Sequence, residues 1–344
     1  MASAKFKYLF AVVFVVYAGS SNPTALWFTQ PESHPVIDEA SMTRLHLERR
    51  ITLDGVTEIE WSPDGEWLAA TAGKNLYLYP SHNPIQPVVV LSGHEEQINC
   101  IAFVRDSQHI VTGSSDGTAR LWNITDGSQL RVFRDGLEVW SIAINNDTKI
   151  VATGSSRYRN TGSLRLWNLE TGDQITELTN DVNYTDNHLT FVRGGLLASV
   201  QSSMLPQNEN ASSIAIWDTL TREKTEMLTG NENFISNIDV SESGELIASV
   251  GWDGTVRVWN IENGEEVALL LRYENIVEDI DFSPLDDILV VGAGTKLAVW
   301  RTYSYLPIMT IEMNEPIRRL SFNPSQTLLA VSHAGSTVSI WAAD

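Results

Sequence analysis

The amino-acid sequence predicts an all-β protein assembled from seven copies of one four-stranded antiparallel unit, and three observations carry the prediction. An aromatic position recurs at Tyr79, Trp122, Trp167, Trp217, Trp259, Trp300 and Trp341, at intervals that subtraction gives as 43, 45, 50, 42, 41 and 41 residues. Each interval holds short runs rich in β-branched and apolar residues with partial alternation, the pattern of strands half-buried in sheets. Turn-forming pairs punctuate the runs, above all Asp116-Gly117, because both central residues of a tight hairpin turn take positive φ.

Residues 92–122 are the most complete copy. Within them 98–103 and 109–113 are the first two strands, and 119–122 is the third, reached through the Asp116-Gly117 turn. A fourth strand, 129–133, follows the polar turn 123–128, and the pattern restarts at 138–144. Gly93-His94, Ser115-Asp116-Gly117-Thr118 and Leu121-Trp122-Asn123 together resemble the WD-repeat (WD40) family, whose units run about 40–45 residues. The resemblance covers residues 44–344 and implies a single seven-bladed β-propeller of four-stranded antiparallel blades, closed by an N-terminal strand. It also implies that His94, Thr112, Asp116 and Trp122 form a structural hydrogen-bonded network. The fifth unit keeps Ser249, Asp253 and Trp259 of that network but has Asn231 where the His would stand.

The two ends fit closure. Residues 44–53 read as a fourth strand, and the last unit stops at 341–344 without one. An N-terminal strand added to the last blade removes the edge that an open ring would expose. Ahead of it, residues 1–18 carry Lys5 and Lys7, an apolar run at 8–17 and a small residue at Ala18. That order predicts a secretory signal peptide and an exported protein, periplasmic or secreted. An uncleaved membrane anchor and a cytoplasmic assembly platform are the alternatives, the run being shorter than the ~20 residues of a comfortable span. Residues 19–43, rich in Pro and Ser, read as a flexible linker.

Composition narrows the chemistry. Lys and Arg number 23 against 43 Asp and Glu, a net charge of −20 that becomes −22 (21 minus 43) without Lys5 and Lys7. Such a chain is a poor partner for nucleic acid, whose binding is driven by neutralising phosphates. Cys100 is the only cysteine, so neither an intramolecular disulfide nor a thiolate metal site can form. Gly292-Ala-Gly-Thr-Lys296 lacks the spacing and the following helix of a phosphate loop, and no His-Glu-x-x-His occurs. The expectation is a monomeric, non-enzymatic scaffold without metal or cofactor. Sequons at Asn123, Asn146, Asn183 and Asn210 matter only inside a eukaryotic secretory pathway.

Loop lengths point to where a protein or peptide partner would sit. In the family the turns between second and third strands and the links between blades share one face, the top. Units three and four lengthen that turn at 155–162 and 201–213. Aligning first strands puts Trp140, Phe234 and Arg318 at the top entrance of the channel, and Trp252 lies in the turn of unit five. With Arg157, Tyr158 and Arg159 in one insertion and Tyr184 beside the other, these are the candidate partner-binding residues. Aromatic residues and Arg are the types enriched at interface hot spots. The competing reading is an extracytoplasmic enzyme or a small-ligand binder using the central channel.

Overall fold

Seven four-stranded antiparallel sheets follow one another along the chain. The structure, a computed structural model, describes residues 36–38, 40–82, 86–157, 161–178, 184–203, 212–274 and 276–343. Blades one to six take residues 56–92, 98–134, 138–178, 184–231, 235–272 and 277–312, each in chain order from first to fourth strand. Blade seven takes three strands from 317–343, and its outermost strand is Leu45–Thr52 from the other end of the chain. The first strands of neighbouring blades touch one another around the ring, so they are innermost and line the channel. Because strands alternate in direction, the links between blades and the second-to-third turns share the top face. The first-to-second and third-to-fourth turns share the bottom.

No single central core exists. The buried apolar residues fall into seven clusters, each made by two neighbouring blades, as in the set that joins Leu76, Leu78 and Leu91 of blade one to Ile98, Phe103 and Trp122 of blade two. This explains the recurring aromatic. Each lies in a third strand and covers the preceding blade: Trp167 lies with blade two, Trp217 with blade three, Trp259 with blade four and Trp300 with blade five. A buried indole N–H needs an acceptor. Trp122 uses Thr112 at 2.9 Å, Trp167 uses Thr153 at 2.9 Å, Trp217 uses Ser199 at 3.0 Å and Trp341 uses Ser339 at 2.9 Å. The residue after the Trp has its own job in blades two to five. Asn123, Asn168, Asp218 and Asn260 each accept the backbone N–H two residues on, at 2.8, 2.9, 2.8 and 2.9 Å, and so close the third-to-fourth turn.

Inner strands of successive blades are joined by carboxylates that accept backbone N–H groups the sheets leave unpaired. Asp239 takes Phe282 N–H at 2.7 Å, Asp279 takes Leu320 N–H at 2.6 Å and Asp281 takes Phe322 N–H at 2.7 Å. Between blades seven and one, Arg319 Nε donates to both oxygens of Glu58 at 2.9 and 3.0 Å. At the N-terminal end, Ile37 and Met42, in the stretch read as linker, are fully buried against blades six and seven. Ile37 exchanges backbone and side-chain hydrogen bonds with Gln326, at 2.6 and 2.7 Å. Ile37→Ala is accordingly expected to lower stability by about 2–5 kcal/mol, read in a denaturant melt. Cys100 is buried in the cluster of blades two and three, and burial pushes its thiol well above the ordinary range.

Candidate functional site

In every blade the innermost strand slips register once, near its top end. The residues left out of the ladder are Thr57, Asn99, Trp140, Ser236, Glu278 and Arg318, with 187–188 in blade four. A bulge of this kind re-aims its side chain, here around the top mouth of the channel. Two of the ring are spent on holding blades together: Thr57 Oγ1 donates to Ile98 O at 2.9 Å, and Asn99 Nδ2 donates to Val139 O at 2.9 Å. Trp140 is 41% exposed.

Blade five presents a second aromatic group on the same face. Phe234, in the link that enters the blade, packs edge to face on Trp252 in the second-to-third turn, with ring centroids 5.4 Å apart. Two residues set this pair. A Cβ on Gly251 would lie 2.4 Å from Phe234 O, so only glycine lets the link and the turn approach this closely. Asp253 then ties turn to link, Oδ1 accepting Thr255 N–H at 2.9 Å and Oδ2 accepting Glu232 N–H at 2.9 Å. Trp252 remains 53% exposed. Arg318 stands apart, in blade seven, and pairs with Glu278 at 3.0 Å. Tyr158 and Arg159 lie outside the described residues; Arg157 and Tyr184 sit in strands Ile150–Arg157 and Tyr184–Phe191, and their side chains lie outside them too.

The network residues of blade two meet. His94 Nδ1 is 2.7 Å from Asp116 Oδ2, His94 Nε2 is 2.7 Å from Thr112 Oγ1, and Trp122 Nε1 donates to the same Thr112 oxygen. Burial pushes the His94 imidazole below its usual range against the pull of Asp116. Burial would raise the Asp116 carboxyl, but hydrogen bonds from Thr118, His94 and Glu95 N–H outweigh it and hold it low. Asp116→Ala is expected to cost ~1–3 kcal/mol by leaving buried donors unpaired, seen as a lower melting point at unchanged partner affinity. In blade five Ser249 Oγ donates to Asn231 Oδ1 at 3.1 Å, and Trp259 is buried at 1% exposure.

Sequence reasoning missed the version in blade three. There Asp135 replaces the His, accepting Thr153 Oγ1 at 2.7 Å and Ser155 Oγ at 2.6 Å and pairing with Arg165. The signal was present, since Arg165, like Arg120 and Arg257, stands two residues before the third-strand Trp. Gly113-Ser-Ser-Asp-Gly117 has the spacing of a nucleophile elbow, yet it joins two strands of one hairpin rather than a strand to a helix, and Ser115 shares its hydroxyl with Asn99.

A family model described as WD domain, G-beta repeat, matches residues 48–79, 85–123, 127–168 and 222–260. Among curated proteins, the chain is 24% identical over 253 residues to Eukaryotic translation initiation factor 3 subunit I of Aspergillus niger, covering 69% of this chain and 72% of that protein. It is 23% identical over 257 residues to a WD repeat-containing protein 91 homolog of Dictyostelium discoideum, covering 72% of this chain and 33% of that protein. The NACHT domain- and WD repeat-containing protein 1 of Mus musculus matches at 24% over 163 residues, and the chain spans only 10% of its length.

These relatives correct one expectation. They are eukaryotic WD-repeat proteins, a translation initiation factor subunit among them, and they point to a cytoplasmic location rather than to export. Ten apolar residues behind two lysines meet the composition of a leader, and composition was all that the export reading had. Residues 1–18 lie outside the described residues. Among those described, no helix is long and apolar enough to cross a membrane.

Proposed function

The chain belongs to the WD-repeat (WD40) family, and from that premise we propose that it is a non-enzymatic cytoplasmic scaffold whose top face, around blades three to five, holds a protein or peptide partner. The observation that carries this reading is the Phe234–Trp252 pair: a large indole more than half exposed, yet fixed by a ring contact, a glycine-dependent approach and a carboxylate-tied turn. A pre-ordered aromatic loses little side-chain freedom on binding and excludes water from a wide area, which is what an interface anchor requires. Trp140 adds a second exposed indole at the rim of the channel. The likeness to the Aspergillus niger protein, a subunit of an initiation factor, fits a subunit of a larger assembly as the kind of partner.

The test is affinity capture from cytosolic extract of the native host, followed by titration of the captured partner. Trp252→Ala should fold normally and lose at least ~2 kcal/mol of binding, roughly thirtyfold. Trp300→Ala, which removes a buried indole from the interface of blades five and six, should instead lose about 3–5 kcal/mol of stability. Unchanged affinity in Trp252→Ala ends the top-face reading.

A further inference from the structure

The bottom turns of the propeller follow a rule that glycine breaks in blades one, four and five, the last two being consecutive. Each first-to-second turn has a fourth residue with positive φ: Gly65, Ser107, Gly195, Gly244, Asp286 and Gln326, with Lys149 in the longer turn of blade three. Where that residue carries a polar side chain, it accepts a backbone N–H from the turn of the preceding blade. Asp64 N–H reaches Ser107 Oγ at 3.0 Å, Glu242 and Ser243 N–H reach the two oxygens of Asp286 at 2.8 Å each, and Leu285 N–H reaches Gln326 Oε1 at 2.9 Å. Blade three supplies Asn146 Oδ1 for Arg105 N–H at 2.8 Å. In blades four and five the position is Gly195 and Gly244, and among the described residues no side chain of a following turn reaches back to the turns of blades three and four.

At that gap lies a polar cleft of about 350 Å³, bounded by the bottom turns of blades three, four and five and by Arg105 of blade two. Its donors converge. Asn145 spends Oδ1 on Asp147 and Thr148 N–H, at 3.0 and 2.9 Å, and its amide nitrogen is 3.8 Å from where a Gly195 Cβ would stand. Arg105 is held by Asp147 at 3.1 Å. Arg193 makes no hydrogen bond or ion pair among the described residues, and its stem is seated against Gly244, whose added Cβ would lie 2.6 Å from Arg193 Cβ. Glu242 is the one acidic lining residue besides Asp147.

We propose that this cleft binds a carboxylate side chain of an acidic peptide segment, with Arg193 as its counter-ion. A partner's Asp or Glu supplies in trans the inter-turn acceptor that Asp286 supplies from within the chain one blade further on. A carboxylate suits the site because it accepts several hydrogen bonds at once and gives the Arg193 guanidinium, which has no partner among the described residues, a charged acceptor. The opposite charge is local: the chain as a whole carries −20, so an acidic segment is drawn only where an unpaired cation stands in a recess. The site is on the bottom face and does not depend on the top-face reading.

The experiment uses the full chain and a fluorescein-labelled peptide with a Glu-Asp-Glu core, its Gln-Asn-Gln counterpart, and inorganic phosphate as competitor, read by fluorescence anisotropy. The acidic peptide should bind about tenfold tighter than the amide peptide, and Arg193→Gln should remove that preference. Gly195→Asp, which places a carboxylate in the cleft at a position whose counterpart in blade six is Asp286, should block the peptide while the protein stays folded by circular dichroism. Trp252→Ala should leave peptide binding intact. An absent preference in the wild type, a preference that survives Arg193→Gln, or one lost in Trp252→Ala overturns the proposal. Displacement by phosphate as readily as by unlabelled peptide overturns it in favour of a small-anion site.

Discussion

Deletion of residues 45–52 is expected to abolish the cooperative fold, giving aggregated protein in size-exclusion chromatography and no sharp thermal transition. The strand Leu45–Thr52 pairs antiparallel with Thr337–Ala343 from Leu45↔Ala343 to Thr52↔Thr337, with one bulge between Leu47 and Arg49. Without it blade seven keeps three strands and exposes Thr337–Ala343 as an open edge, a template for pairing with other chains. The same strand reaches the next blade, Arg49 donating to His82 O at 2.9 Å and Ile51 lying fully buried with Val56 and Ile59 of blade one. Closure therefore joins the two ends of the chain, and its loss affects both neighbouring interfaces. A deletion variant that melts within a few degrees of the parent would show that the ring is held without this strand.

The contribution of Asp279 to stability should also fall as the pH rises from about 4 to 7, opposite to that of a carboxylate held by cations. Asp279 is 1% exposed, and burial, set against Arg319 and two hydrogen-bond donors, pushes its carboxyl up to about 7. Its folded pKa thus lies above the unfolded value near 4. The folded state binds the extra proton, so this contribution to stability is complete below the unfolded pKa and is lost as pH rises through the folded one. The slope approaches about 1.4 kcal/mol per pH unit for one full proton. Glu60, Asp239 and Asp281, which are half-buried, are shifted upward by burial too. Asp279→Asn keeps an acceptor for Leu320 N–H and removes the titration. It should flatten much of the profile in denaturant melts between pH 4 and 8; an unaltered profile would mean that Asp279 is ionised throughout.

The sequence by itself determined the repeat, the number of blades and the partner of the last one, because these rest on local signals. A third-strand aromatic shows every 41–50 residues since each blade must cover the one before it. The Asp or Asn after the Trp and the Asp-Gly hairpin are legible since turn geometry is set within a few residues. Of the top-face candidates, Trp140 and Trp252 could be picked out by alignment with the repeat. What only the tertiary structure decided involves residues well apart in the chain, from 17 positions for Gly251 and Phe234 to 41 for Asp279 and Leu320 by subtraction. The Phe234–Trp252 contact, the need for Gly251, the substitution of Asp135 for a His, and the carboxylates that join inner strands depend on how one blade is placed against another or how a link folds onto a turn. The bottom cleft belongs to the same class. Gly195 and Gly244 are unremarkable as turn residues in sequence, and the gap they leave exists only because a ring sets each turn beside the next.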